Sequence, residues 1–245
     1  MKIRRIAHRG FSSEAPENSS ASFALAAEGD FYGIECDVWR SKDGVYVVSH
    51  DGNLERMCGK DRQIPELSYD RIKRYTMQRG KKRTMHPPQH PIRLTEYLSI
   101  LRRVEKKLAV IELKMDYTTV ELREIVDLVK QYGLYERTVF ISLHGGVLIR
   151  LKEELDFPTE RLQYVYGAIV ANKWIPVNME VEHWLIENHI NLDARYTLVS
   201  KGTVMRLHEA GLMVNVWTVN KKEEMIRMLT EVGVDMVTTE FYYEI

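Results

Sequence analysis

Residues 6–29 read IAHRGFSSEAPENSSASFALAAEG. A short apolar run ends abruptly on His8, Arg9 and Gly10. A Pro-Glu-Asn turn follows, then a run that reads as a helix over 20–28, with Ser19 or Ser20 as N-cap and Gly29 at its end. A strand handed to a helix through a polar turn is the repeating unit of a parallel sheet with crossover helices. The same unit recurs along the chain. Further strand candidates are Gly33–Val38, Val45–Ser49, Leu108–Leu113, Thr138–Ser142, Leu162–Tyr166, Ile190–Asp193, Met213–Val219 and Val234–Thr238, the first being Ile3–Ala7. Helix candidates include Thr119–Tyr132, Val204–Ala210 and Lys221–Val232, each followed by glycine. With 245 residues, the pattern fits an α/β chain folded as a (β/α)8 TIM-type barrel. Nine strand candidates exceed eight, and Ile190–Asp193 is expected to lie outside the barrel. The piece between Asp37 and His50 is too short for a crossover helix. It holds Lys42-Asp43-Gly44 and is expected to be either a hairpin or a helix-free return.

Residues 51–93 interrupt this rhythm. They carry Pro65, Pro87, Pro88 and Pro91, many charges and little apolar periodicity. They are expected to be a small insertion after the third strand, within a single barrel domain spanning 1–245. Composition excludes several classes of protein. Lys+Arg and Asp+Glu are 35 each, so neither nucleic-acid binding nor stable membrane association is indicated by bulk charge. The Lys81-Lys82-Arg83 cluster reads as a solvated loop. Two cysteines, Cys36 and Cys58, form no disulfide framework and suit a reducing compartment. No signal-peptide pattern or long apolar run is seen, so a cytoplasmic location is expected.

The strand ends carry the chemistry. In a parallel barrel, side chains at the carboxyl ends of the strands build the active site. Here those ends present His8 and Arg9, then Glu35 and Asp37, then His50 and Asp51, then Glu112 and Lys114, and later Trp217. Glu35 and Asp37 are two apart on a strand and face one side, while Cys36 faces the other. Three clustered carboxylates suit a hard divalent cation, Mg²⁺ or Ca²⁺. The bland alternative is an ion network with Arg9 and Lys114, but three acids against two bases leave surplus negative charge. His8 and His50 can exchange protons near neutral pH and so serve as acid and base. Arg9 and Lys114 suit a phosphate. Trp217 is either a core aromatic or an apolar wall for a substrate. His144 is ambiguous, and the remaining histidines read as surface residues.

The chain resembles the glycerophosphodiester phosphodiesterase family, within the phospholipase C-like phosphodiesterase superfamily. The resemblance rests on IAHRG, APENS, GIECDV, KDGVYVVSHD, IELK and NVWTVN, in that order. It implies a metal-dependent hydrolysis of glycerophosphodiesters to glycerol 3-phosphate and an alcohol. It also implies His8 and His50 as acid/base residues, Glu35, Asp37 and Glu112 as metal ligands, and Arg9, Lys114 and Trp217 as substrate contacts. Water, or a neighbouring glycerol hydroxyl, is the nucleophile. The chain departs from the family pattern at Leu143-His144, at Ile92 and at Glu240, positions that bear on which alcohol is accepted. Two other readings remain at this level: a lipid-directed phosphodiesterase of lysophospholipase D or phosphoinositide type on the same barrel, and a non-catalytic phosphodiester-binding barrel. Oligomeric state is not legible in the sequence.

Overall fold

A computed structural model describes residues 3–244. In chain order the strands are β1 Arg5–Ala7, β2 Gly33–Arg40, β3 Tyr46–Val48, β4 Ile92–Arg93, β5 Leu108–Leu113, β6 Thr138–Ser142, β7 Leu162–Tyr166, β8 Ile169–Val170, β9 Lys173–Trp174, β10 Asn191–Arg195, β11 Val214–Trp217 and β12 Met236–Thr239. The helices are α1 Ser20–Glu28, α2 Glu55–Cys58, α3 Tyr69–Ile72, α4 Leu94–Arg102, α5 Thr119–Gln131, α6 Gly145–Leu155, α7 Met179–Asn188, α8 Lys201–Glu209 and α9 Lys222–Arg227. Eight strands pair in parallel in the circular order β1, β2, β5, β6, β7, β10, β11, β12 and back to β1. This is the closed (β/α)8 barrel that the strand–helix rhythm predicts.

Strand alternation builds two compartments. On β2, Ile34, Cys36 and Val38 point outward into the main core shared with the helices, as do Ala109, Ile111 and Leu113 on β5 and Phe140 on β6. Their neighbours point inward. Ile6, Val110, Val139, Ile141 and Met236 make a second, smaller apolar cluster. The inward positions one step further along β2 and β5 are Glu35, Asp37 and Glu112. An apolar plug with carboxylates at its upper end follows directly from a period of two read along two strands.

One expectation is overturned. Ile190–Asp193 does not lie outside the barrel: β10, which covers all but the first of these residues and runs on to Arg195, pairs with β7 on one side and β11 on the other. The surplus strand is instead β3, which runs antiparallel to β2 through the pairs Val38↔Val48, Trp39↔Val47 and Arg40↔Tyr46. The Asp37–His50 piece is therefore a hairpin. Its turn uses Gly44 at φ +83°, backbone that glycine adopts without a Cβ penalty. Residues 51–93 hold α2, α3 and β4, and their Leu54, Met57, Cys58, Ile64, Leu67, Ile72 and Met77 form a separate apolar cluster with Val47 of β3. The scarcity of apolar periodicity is explained by those short elements.

Candidate active site

The site starts with the turn that ends β1. The His8 N–H donates to the carbonyl of Thr239 at 2.9 Å, continuing the β1–β12 ladder by one residue. The chain then reverses through Arg9 and Gly10, at φ +56° and +79°. Gly10 is required twice over. A Cβ there would lie 2.5 Å from Ser22 Oγ and 2.7 Å from the Ser22 backbone carbon. The reversal aims the Arg9 N–H at Glu35 Oε2, 2.7 Å away. It also places the Arg9 guanidinium between Glu17 Oε1 at 2.9 Å and Asp37 Oδ2 at 3.5 Å.

The Pro-Glu-Asn turn, which sequence alone leaves without a role, belongs to this arrangement. Asn18 Nδ2 donates to Asp37 Oδ2 at 2.7 Å, and both residues are buried. Glu17 accepts from Arg9 and also from Arg56 of α2, at 2.6 and 3.0 Å. Arg56 Nε in turn donates to Asp51 at 2.5 Å, and Asp51 Oδ1 faces His50 Nδ1 at 2.7 Å. Trp39 Nε1 holds the His50 carbonyl at 3.2 Å. His50 thus reaches the mouth from the β2–β3 hairpin and not from a barrel strand, a correction to its sequence placement. Its ring is oriented by a chain that runs His50, Asp51, Arg56, Glu17, Arg9.

Glu35, Asp37 and Glu112 each bring one carboxylate oxygen into a group whose members lie within 4.8 Å of one another. Lys114 Nζ donates to Glu112 Oε1 at 2.9 Å and stands 3.4 Å from Asp37 Oδ1. Burial would raise the Asp37 carboxyl, but Lys114 and Arg9 outweigh it and hold the group well below its ordinary range. The other two behave oppositely. Burial, with repulsion from Asp37 and Glu112, pushes Glu35 well up. Burial also lifts Glu112 to about 7, Lys114 opposing and Asp37 adding. Three acids share two bases, and the group lacks positive charge. Asp37 Oδ1 is buried and accepts no hydrogen bond.

His8, Arg9, Glu35, His50, Glu112, Lys114 and Trp217 line one cavity of ≈ 510 Å³. All the residues to which the family resemblance gives a role, Asp37 included through its contacts, are therefore brought together. Burial pushes both imidazoles below the ordinary histidine range, with Arg9 adding to the effect. Glu240 Oε1 stands 3.7 Å from His8 Nδ1, too far for a hydrogen bond but close enough to favour the imidazolium. Asn220 fixes that carboxylate through a 3.1 Å bond to Oε2. Leu143, not His144, lines the cavity. Tyr164, Tyr166 and Ile141 extend its apolar wall.

Asp193 also lines it and was missed. It is buried, accepts from Asn215 Nδ2 at 2.7 Å, and is pushed up to about 8 by burial and the nearby Glu112 charge. The alternation of Asn191, Asp193 and Arg195 along a barrel strand would have found it. Expecting that strand outside the barrel hid it. Arg56 was missed for a different reason: it sits in the insertion, 39 residues from the Glu17 it pairs with.

The sequence profile described as "Glycerophosphoryl diester phosphodiesterase family" matches residues 8–243. This chain belongs to that family. A glycerophosphodiester phosphodiesterase of Bacillus altitudinis is 26% identical over 242 residues, covering 96% of this chain and 94% of the relative. A human lysophospholipase D is 27% identical over 98% of this chain and 83% of its own length. Among solved structures, a glycerophosphodiester phosphodiesterase from Parabacteroides distasonis superposes with a TM-score of 0.76 at 25% identity, covering 97% of this chain and 92% of that one. A phosphodiesterase from Oleispira antarctica, solved with the product sn-glycerol-3-phosphate, shares the fold at a TM-score of 0.81 and 24% identity, over 97% and 92%. The family match begins at His8, the first residue of the site.

Proposed function

We propose that this family member hydrolyses glycerophosphodiesters to glycerol 3-phosphate and an alcohol, with His8 and His50 moving the protons and Glu35, Asp37 and Glu112 holding a divalent ion. One observation carries the reading: two imidazoles, two cations and three carboxylates short of positive charge meet in one cavity. The carboxylate group fits a hard cation. Its oxygens are close, Asp37 Oδ1 accepts no hydrogen bond, and Glu35 and Glu112 are both lifted by burial and by the Asp37 charge. When bound, Mg²⁺ or Ca²⁺ supplies Lewis acidity toward a phosphoryl oxygen.

The chain's own residues do the rest. Arg9 and Lys114 balance the phosphate's charge as it grows in the five-coordinate transition state. Asp51, accepting at His50 Nδ1, leaves Nε2 of that ring to take or give a proton. One histidine takes a proton from the attacking hydroxyl as the new P–O bond forms. The other gives a proton to the ester oxygen as the old P–O bond breaks. Trp217, Tyr164 and Tyr166 wall off the carbon skeleton. We assign residues 1–245 to one barrel domain with 51–93 inserted, and a cytoplasmic location from the two buried free thiols. Among the described residues no helix is long and apolar enough to cross a membrane.

The test is release of glycerol 3-phosphate from glycerophosphocholine, glycerophosphoethanolamine and glycerophosphoglycerol. Wild-type protein is expected to release it, and His8→Ala and His50→Ala each to lose about 10²-fold or more. Full activity in both variants would remove the acid/base assignment, and release of phosphocholine in place of glycerol 3-phosphate would overturn the bond assignment.

A further inference from the structure

Zero net charge conceals a strong asymmetry. Residues 51–93 contain eleven Lys and Arg against five Asp and Glu, a surplus of six that the rest of the chain offsets. Between Arg71 and Thr95 there is no acid at all. Arg71, Lys73, Arg74, Arg79, Lys81, Lys82 and Arg83 are all exposed. Among the described residues Arg71, Arg74, Arg79, Lys81 and Arg83 have no ion pair, while Lys73 pairs with Asp70 and Lys82 with Glu14. Met85 stands 73% exposed at the end of this run.

The run is fixed beside the catalytic mouth. Gly80 packs on Pro16, and His86 Nε2 bonds the Glu14 carbonyl at 2.8 Å. Both contacts are on the loop after β1, at the carboxyl-terminal face of the barrel. Across that face, in the loop after β7, the β8–β9 hairpin exposes Ile169 and Trp174. Leu143, exposed after β6, and Met179, exposed at the start of α7, add to it. Trp174 is held under the Arg195 guanidinium, 4.3 Å from ring centroid to cation. The mouth therefore carries unpaired cations on one side and exposed apolar side chains on the other.

We propose that this face docks peripherally on an anionic phospholipid surface. The basic run of the insertion would meet headgroup phosphates, and Ile169, Trp174, Leu143 and Met179 would enter the upper acyl region. Unpaired Lys and Arg are drawn to a negative leaflet, and amphipathic indole prefers the headgroup level. An interface-bound orientation of this kind turns the cavity toward the membrane, so that phosphodiesters with an acyl chain become accessible. Docking itself does not depend on the chemistry assigned above, so the two are tested separately.

The experiment is sedimentation of the intact protein with extruded vesicles of neutral phosphatidylcholine, or of phosphatidylcholine with about a third phosphatidylglycerol. Binding is expected to the anionic vesicles, at least about tenfold stronger than to neutral ones, and to be lost in 0.5 M NaCl (about fivefold shorter screening length than in dilute buffer). The double variant Lys81→Glu, Arg83→Glu is expected to lower that binding about tenfold or more, and Ile169→Asp to lower it severalfold. Both variants should hydrolyse soluble glycerophosphocholine at the wild-type rate. Equal partition onto both vesicle types, no sedimentation with either, or undiminished binding by the charge-reversed variant would overturn the proposal. So would binding of duplex DNA as tight as that of the anionic vesicles, which would mark a general polyanion surface.

Discussion

At the scale of single residues, the site depends on carboxyls held in opposite states by their neighbours. Asp37 is kept ionised by Lys114, Arg9 and the Asn18 amide despite complete burial. Asn18 sits at φ +53°, a conformation that asparagine and glycine tolerate. Asn18→Gly keeps the backbone and deletes the 2.7 Å bond to Asp37. Loss of a hydrogen bond to a buried charge is worth roughly 1.5–3 kcal/mol, so kcat is expected to fall by about tenfold or more while the fold persists, read by steady-state kinetics beside circular dichroism. Asp193 shows the opposite state. Its carboxyl ordinarily titrates near 3.8 but is lifted to about 8 in the fold. Between those values the folded chain keeps a proton that the unfolded chain has released. The contribution of this group to stability therefore falls as pH rises across that window, by up to about 1.4 kcal/mol per unit. Asp193→Asn is expected to be more stable than wild type, and by a margin that widens from pH 5 to pH 8 in urea titrations. A constant or shrinking margin would remove the assignment.

Among the elements, the decisive ones are the β1–α1 turn and the bridge from the insertion to the barrel. Gly10→Ala combines a left-handed backbone with a Cβ 2.5 Å from Ser22 Oγ. Left-handed strain of roughly 1–2 kcal/mol and overpacking of about 1–3 kcal/mol predict a loss of around 3 kcal/mol in urea unfolding. The bridge is the Asp51–Arg56–Glu17 chain, which ties α2 to the turn and orients His50. Arg56→Ala is expected to lower kcat about tenfold with KM little changed, since Asp51 and Glu17 remain but lose their common partner. Arg56→Lys should recover only part, because a single ammonium cannot fork onto both carboxylates. The same elements show what a sequence can disclose. Ile34, Cys36 and Val38 alternate with Glu35 and Asp37, and a period of two is enough to say which side chains face the interior. Arg56 and Glu17 are 39 residues apart, and no local pattern announces that an inserted helix will fold back over the first turn. The β10 strand is hard to place from sequence, since its inward residues, Asn191 and Asp193, are polar. A buried polar strand has the same alternation as an exposed one until its neighbours are known.

Taken as a whole molecule, the barrel and its chemistry were legible together because one geometric fact governs both: parallel strands bring their carboxyl ends to a common face. Four such ends, those of β1, β2, β5 and β11, needed only to be strands in order for His8, Glu35, Asp37, Glu112, Lys114 and Trp217 to meet. His50 came to the same place by a hairpin, a different route to the expected position. Charge distribution was not legible from the total, since a surplus of six in the insertion vanishes in a net of zero. The central claim is that Glu35, Asp37 and Glu112 hold a divalent ion on which hydrolysis depends. It is tested most directly by measuring glycerol 3-phosphate release from glycerophosphocholine after exhaustive chelation, and again after adding Mg²⁺ or Ca²⁺. Wild-type protein is predicted to fall to background and recover with one of the ions, whereas Glu112→Gln stays at least about 10²-fold down with either. An undiminished rate in the chelated wild-type protein would contradict the account.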